Sequence, residues 1–169
     1  MEQNITLHDI AAYLDKVGVQ FMATIGLDCK PKVRPMQYMV LEDDKLWFCT
    51  NSKKEVYAEL QANPAIELCG CKMEEDEIQS AWIRFSAEVV FEERQDIRDA
   101  IIERSAIVNA LYSNMRDNPI FKVFYLKNID GWMTNLGHVK GLENNAEFAK
   151  PVHFSFYAQL CQPLKLNDS

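Results

Sequence analysis

Apolar residues recur along this chain with two spacings, which predict helices in some segments and strands in others. The first helix is predicted over residues 6–17, with Thr6 as its N-cap and Asp9 completing a variant of the capping box. Its apolar stripe consists of Ile10, Leu14 and Val17. Gly18 is suited to end it.

Three segments with strand-like composition follow, at residues 19–26, 31–41 and 45–50. Because only short turns separate them, they predict a meander of consecutive strands. Pro31 and Pro35 cannot donate to a ladder, so the middle strand should begin irregularly, or as an edge strand, beside Arg34.

The rest of the chain is predicted to form mostly strands, with helical segments between them. A helix with Val56, Tyr57 and Leu60 buried is predicted over residues 53–62. Helical segments are expected at 94–105 and, shorter, through 111. The predicted strands are 65–72, 81–91, 121–126, 132–136 and 151–157, with turns at 74–77 and 128–131.

The order of these elements predicts a mainly β fold with helices, of the α+β class. Consecutive strands are joined too tightly for parallel crossovers, so an antiparallel barrel or closed sheet is expected. The length of 169 residues predicts a single domain over 1–169, with 138–169 as a C-terminal extension.

The richest chemistry lies where the third strand meets the second helix. Thr50, Asn51 and Ser52 are followed there by Lys53 and Lys54. A helix start carries unpaired N–H groups and a partial positive charge, and two ammonium groups would add to it. The joint therefore predicts a phosphate site.

Charge bears on this prediction, because the chain has a formal net charge of -7. A local basic cluster must overcome that background to attract an anion. Lys30, Lys32 and Arg34 recur every second residue, which in a strand places them on one face, from which they could converge on the same anion. The alternative is that the lysine pair is an ordinary solvated surface feature.

Composition limits where the protein is expected to be located and what it is expected to bind. No apolar run is long enough to cross a bilayer and the N-terminus lacks signal-peptide features, so a cytoplasmic protein without membrane contact is expected. The acidic balance argues against nucleic acid as a partner. The five cysteines are predicted to be thiols, and Cys69 and Cys71 to be buried small apolar residues rather than metal ligands.

Several stretches, taken in order, resemble the FMN-binding split-barrel superfamily, which includes pyridoxamine 5'-phosphate oxidase and related general stress proteins. The stretches are FMATI at 21–25, KVRPMQ at 32–37, LWFCTNSKK at 46–54, LQANP at 60–64, WIRFSA at 82–87 and VFYL at 123–126.

The resemblance implies a split barrel that forms a homodimer, with FMN in a groove between the subunits. It implies that Arg34, Ser52, Lys53 and Lys54 hold the phosphate. Other positions implied near the flavin are Pro35, Met36 and Gln37 along the ring, Thr50 with its neighbour Asn51 near the phosphate and ribityl chain, and Trp82, where many members have a glutamine. The alternative for Trp82 is a core or interface residue.

The chain also departs from the oxidases in this superfamily. They carry a lysine five residues after the strand arginine, where this chain has Met39, and an arginine in the C-terminal segment, whereas no arginine follows Arg116. These departures argue against pyridoxamine phosphate as the substrate, although the FMN site is retained.

The predicted function is a small FMN-dependent oxidoreductase acting on an unidentified small molecule, with a nicotinamide as a possible electron donor. The alternatives are a non-catalytic flavin-binding or redox stress protein, and a split barrel that uses haem or deazaflavin. A shortage of histidine argues against haem. His138 and His153 are expected at exposed loop positions, with a catalytic role as the alternative.

Overall fold

The fold of the chain is taken from a computed structural model that describes residues 5–73, 80–112, 117, 119–135 and 151–157. The helices are α1 (Leu7–Val17), α2 (Glu55–Ala62), α3 (Gln95–Arg104) and α4 (Ala106–Tyr112). The strands are β1 (Gln20–Ile25), β2 (Pro31–Met36), β3 (Val40–Glu42), β4 (Lys45–Asn51), β5 (Ala65–Lys72), β6 (Ala81–Phe91), β7 (Phe121–Asn135) and β8 (Val152–Phe156). The predicted stretch at 74–77 and most of 138–169 lie outside the described residues.

The strands form one antiparallel sheet in the order β2-β1-β5-β6-β7-β4-β3, and β8 also pairs with β7. This confirms the predicted α+β class and antiparallel arrangement. Within the described part of the chain, β2 and β3 end the main strand order and do not pair with each other, and β8 is a further edge strand beside β7, so the sheet is open. An open, curved sheet with helices is consistent with a split barrel, and the expectation of a closed sheet was wrong.

The start of α1 follows from local chemistry, as predicted. The Thr6 backbone N–H donates to Asp9 Oδ2 over 2.8 Å, and the Asp9 N–H donates to Thr6 Oγ1 over 3.2 Å. This capping box satisfies two N–H groups that the helix itself leaves unpaired. At the other end Gly18 has a φ of 79°, which favours glycine.

The predicted single strand at 31–41 is wrong, because the chain divides it between two edges of the sheet. β2 pairs with β1 and β3 pairs with β4, so no three-stranded meander forms. The segment that leads from β2 to β3 is held by a hydrogen bond in which the Tyr38 N–H donates to the buried Gln20 Oε1 over 2.8 Å. The edge-like position expected for the proline-containing segment beside Arg34 is confirmed.

The predicted turn at 128–131 is also wrong, since β7 runs without interruption from Phe121 to Asn135. Asn128 has a φ of 53° and lies where the register of β6 and β7 shifts, which is a bulge rather than a turn. At Gly131 a Cβ atom would lie 2.3 Å from the Arg84 carbonyl oxygen, so the glycine permits a close approach of strands.

Two apolar clusters make the core. One lies within the curve of the sheet and includes Met22, Phe48, Leu68, Phe85 and Phe124. The other lies beneath α3 and α4 and includes Trp47, Ile97, Ile101, Phe121 and Val123. The predicted apolar side of the α3 helix, formed by its isoleucines, is confirmed.

The side of the sheet opposite the first of these clusters is called here the outer face, and it exposes large apolar side chains. Phe21, Cys69, Arg84 and Trp132 are successive register partners across four strands, and all four are exposed. Cys69 and Cys71 were expected to be buried, but they alternate with the buried Leu68 and Gly70 and so point outward. Among the described residues, no helix is long and apolar enough to cross a bilayer.

Candidate functional site

The turn between β4 and α2, Thr50 to Lys54, is held by its own backbone and by Asn51. The Ser52 N–H donates to the Ile120 carbonyl over 2.8 Å, which ties the turn to the start of β7. The Lys53 N–H donates to Asn51 Oδ1 over 3.0 Å and the Lys54 N–H to the Asn51 carbonyl over 3.2 Å. These three N–H groups are used by the chain itself.

Asn51 therefore stabilises the turn through its hydrogen bonds. Besides accepting from Lys53, its side-chain amide donates to the Tyr112 hydroxyl over 2.9 Å. The tyrosine belongs to α4, so the side chain connects the turn to the helical layer.

The helix that follows starts two residues later than the sequence predicts, at Glu55. Lys54 occupies the N-cap with extended dihedrals, φ -84° and ψ 144°, and no side chain caps the helix. The first N–H groups of a helix have no acceptor within it, and a lysine side chain has no acceptor to offer. The Tyr57 N–H donates to the Lys54 carbonyl over 3.0 Å. The start of α2 therefore retains the N–H donors of Glu55 and Val56, which have no acceptor among the described residues, and the positive end of its dipole.

Lys53 and Lys54 are both exposed. Within the described part of the chain, neither ammonium group forms an ion pair or a side-chain hydrogen bond. Burial raises the pKa of the neighbouring Cys49 thiol to about 12, and Lys54 opposes that rise. Cys49 is therefore a protonated, unreactive thiol at neutral pH.

Thr50 is buried at the end of β4. Among the described residues its Oγ1 is the one buried side-chain oxygen or nitrogen without a hydrogen-bond partner. Buried polar atoms are normally satisfied by protein, water or ligand, so this hydroxyl is one partner short.

Arg34, in contrast to the two lysines, is already bound within the protein. Its Nη1 donates to Glu59 Oε2 over 2.6 Å and its Nη2 to Glu59 Oε1 over 3.1 Å, which is a bidentate pair. Thr24 Oγ1 accepts from Arg34 Nη1 over 2.9 Å and donates to Glu59 Oε2 over 2.7 Å. The three side chains form a closed network between β1, β2 and α2.

Glu59 is only 2% exposed, and the hydrogen bond from Arg34 is the main cause that lowers the pKa of its carboxyl group. Sequence reasoning missed this residue and assigned Tyr57 to the buried side of α2, where the structure has Tyr57 half-buried. Glu59 lies three residues after Val56 and next to Leu60, the two buried apolar residues of α2. A carboxylate at that spacing is the signal that could have indicated a buried partner for an arginine.

The network connects one of the predicted basic elements, the strand with Arg34, to α2, and the other basic element supplies the N-cap of that helix, Lys54. Glu59 follows Lys54 by five residues, a distance of about 7.5 Å along a helix axis. Arg34 still has its Nε–H and one Nη2 hydrogen without a partner among the described residues. Lys32 shares the face of Arg34 but pairs with Asp28 over 3.0 Å, and Lys30 precedes β2, so the predicted row of three does not form.

The other predicted positions lie on β2, directly after it, and on the interior strand β6. Pro35 and Gln37 are exposed and Met36 packs against the core. On the side of β2 away from β1, no described strand pairs with it. Trp82 lies on the outer face with 39% of its surface exposed, which rules out a core residue and leaves the predicted place near the flavin and the alternative of an interface residue.

A second polar cluster, not assembled by sequence reasoning, lies on the outer face at β7 and β8. His153 lies in β8 rather than in a loop, and its Nε2 is 3.1 Å from Asp130 Oδ2. The Tyr157 hydroxyl donates to the same oxygen over 2.8 Å, which raises the pKa of the tyrosine. The imidazole also contacts the Trp132 ring, with centroids 4.7 Å apart.

The curved open antiparallel sheet, with a basic turn leading into a helix at its edge, defines a protein of the split-barrel class. The model of the family described as pyridoxamine 5'-phosphate oxidase matches residues 7–147. The chain therefore belongs to this family. The predicted superfamily is confirmed.

Solved structures support the same fold. A NimC/NimA family protein from Clostridium acetobutylicum has a TM-score of 0.67 and 24% identity, covering 89% of this chain and 92% of that one. A protein from the same organism related to general stress protein 26 of B. subtilis has a TM-score of 0.60 and 15% identity, covering 88% and 93%. HutZ, the haem storage protein from Vibrio cholerae, has a TM-score of 0.53 and 17% identity, covering 72% and 89%. At these identities the likeness is one of fold, and no curated protein matches the chain.

Proposed function

We propose that this chain binds FMN and acts as a small flavin-dependent oxidoreductase on a small molecule. The observation that carries the proposal is the turn between β4 and α2, where two lysines without partners among the described residues precede a helix start without a side-chain cap. Membership of the family adds weight, since its model covers the residues that form this turn.

The residues present fit a phosphate monoester. Lys53 and Lys54 supply the positive charge, while Ser52 and the first N–H groups of α2 supply donors. The remaining Nε–H and Nη2 hydrogen of Arg34 add donors from β2. The Thr50 hydroxyl lacks one partner, which a group bound at this turn, directly or through water, would provide.

The ring of the flavin is proposed to lie along the edge of β2, beside Pro35, Met36 and Gln37, with Trp82 close to it. When bound, FMN supplies hydride and electron transfer between a donor, such as a reduced nicotinamide, and an acceptor. The protein supplies position and electrostatics, because backbone N–H groups near Met36 and the Gln37 amide can stabilise negative charge on the reduced ring.

The experiment that tests the cofactor is a comparison of FMN with riboflavin, which differs only in lacking the phosphate. The purified protein should bind FMN more tightly, and the variant Lys53→Ala/Lys54→Ala should lose about 100-fold in FMN affinity while its riboflavin affinity is unchanged. Fluorescence quenching of each flavin measures both constants. Equal affinity of the wild type for the two flavins would contradict the assigned phosphate site.

A separate measurement distinguishes an oxidoreductase from a protein that only stores or senses flavin. Rapid reduction of the bound flavin by NADH or NADPH, followed at the flavin absorption band, supports the enzyme. Slow reduction that is alike with every donor supports the non-catalytic alternative.

A homodimer is part of the same proposal, with the outer face as the interface. This face exposes Phe21, Val33, Trp82 and Trp132, and large exposed apolar patches are typical of association sites. A dimer would also enclose the flavin more fully than the open edge of one sheet can.

Sedimentation velocity tests the dimer. The variant Trp82→Glu/Trp132→Glu should sediment as a monomer and lose flavin. Ile107→Glu is the control, because Ile107 is 69% exposed but belongs to α4 and not to the strands that carry this patch. A wild-type monomer that retains FMN would disprove the proposed interface.

Haem is the second candidate, and His153 is the observation that favours it. A metal-ligating histidine usually bonds to a carboxylate through its other ring nitrogen, as His153 does to Asp130. Its Nδ1 has no partner among the described residues and could bind a haem iron. One of the similar solved structures is of a haem storage protein.

The absorption spectrum of the purified protein distinguishes flavin, deazaflavin and haem directly. If haem is the ligand, added haem should give an intense Soret band that the variant His153→Ala lacks. A Soret band of equal strength in that variant would remove the observation that favours haem.

A further inference from the structure

Glu59 is the side chain that changes what Arg34 can contribute to a phosphate site. Arg34 is bonded through both terminal nitrogens to a carboxylate that is 2% exposed, while 23% of the arginine side chain remains exposed. Because the two opposite charges are in contact, the pair as a whole carries no net charge. The arginine can therefore offer hydrogen-bond donors to a ligand, but little net charge.

The other basic residue on this face of β2 is neutralised as well. Lys32 Nζ lies 3.0 Å from Asp28 Oδ2, so that pair also carries no net charge. Lys53 and Lys54 are then the cations near the start of α2 that lack a carboxylate partner among the described residues. The attraction that this site exerts on a dianion comes from the lysines.

We propose that Glu59 sets the phosphate affinity of this site, because it cancels the charge of Arg34 while holding the guanidinium in one orientation. The proposal rests on the proposed function, since it concerns the same site. Glu59 acts through Arg34 and does not itself contact the ligand, so it is a positioning residue. It keeps the chain's affinity for a phosphorylated ligand below what three cations would produce.

The decisive variant is Glu59→Gln, which preserves size and an oxygen acceptor for Arg34 and Thr24 but removes the negative charge. A phosphate on the exposed side of the guanidinium would lie within about 7 Å of that charge, where its removal matters. We expect the FMN affinity to rise at least about fivefold at low salt, with the gain shrinking as salt is added. The affinity for riboflavin should not change.

Asp96→Asn is the matched control. Asp96 also forms a bidentate pair with an arginine, Arg94, but on the protein surface at the start of α3. The variant Asp96→Asn changes the net charge by the same amount as Glu59→Gln, but at a place outside the proposed site. The ratio of FMN to riboflavin affinity should therefore stay as in the wild type.

A second measurement leaves Glu59 intact and covers the case in which Glu59→Gln fails to fold. If Arg34 carries little net charge, Lys53→Ala/Lys54→Ala should remove nearly all the salt-dependent preference for FMN over riboflavin. A strong salt-dependent preference that survives in this variant would overturn the proposal.

The remaining outcomes are distinct. An unchanged or weakened FMN affinity in folded Glu59→Gln, with a wild type that prefers FMN, overturns the role of Glu59 and leaves the proposed function standing. A wild type that binds FMN no better than riboflavin overturns both.

Discussion

Two basic regions adjoin α2, and they differ in whether their cations have a carboxylate partner among the described residues. Arg34, on the edge strand β2, is bound into a network with Thr24 and the buried Glu59. Lys53 and Lys54, in the turn after β4, are exposed and have no carboxylate partner among the described residues. Basic residues that look equivalent in the sequence thus divide into one that stabilises the fold and two that are available to a ligand.

The largest difference between these regions should be in stability. Arg34→Ala leaves the Glu59 carboxylate buried without its partner, so we expect a loss of about 3 kcal/mol in the free energy of unfolding. Lys53→Ala/Lys54→Ala should change it by less than about 0.5 kcal/mol, as exposed substitutions usually do. Urea unfolding measures both.

The double variant Arg34→Met/Glu59→Leu provides the control for that prediction. It removes both charges together and should recover most of the stability that Arg34→Ala loses. A loss as large in the double variant would mean that packing, and not the unpaired carboxylate, causes the effect.

The pH dependence of stability gives a second test of the difference between the paired Arg34 and the exposed lysines. Hydrogen bonding from Arg34 lowers the pKa of Glu59 below its ordinary value of 4.5, so this carboxylate stabilises the fold above that pH. The contribution is lost as the pH falls through the lowered pKa of the folded state. We expect the stability advantage of the wild type over Glu59→Gln to shrink below pH 4.5, measured by urea unfolding at several pH values. A constant difference between the two proteins would contradict it.

A smaller effect is expected at Thr50. Replacing Thr50 by valine keeps the shape and removes a buried hydroxyl that has no described partner, so the free protein should gain about 1 kcal/mol in stability. Thr50→Ser keeps the hydroxyl and serves as the control. Thermal unfolding of the flavin-free proteins checks this, and a clear loss of stability in Thr50→Val would mean that the hydroxyl is bonded in solution.

Much of the candidate site could be predicted because its signal is local. The run from Thr50 to Lys54 lies within a few residues, and its hydroxyl, amide and ammonium groups indicate an anion site without knowledge of the fold. Glu59 escaped prediction because nothing near it in sequence distinguishes a buried carboxylate from a solvated one. Its partners, Thr24 and Arg34, precede it by 35 and 25 residues.

The sequence by itself determined the types of the elements, most of their bounds and the family. Residue spacing, caps and turn residues act over a few positions, and they specify backbone conformation and which side of an element is buried. Tertiary structure alone decided that β2 and β3 lie at opposite edges, that β7 continues through Asn128, and that Arg34 pairs with Glu59. These depend on which distant segments meet, because pairing partners and buried charges are chosen by packing across the whole sheet and not by neighbours along the chain.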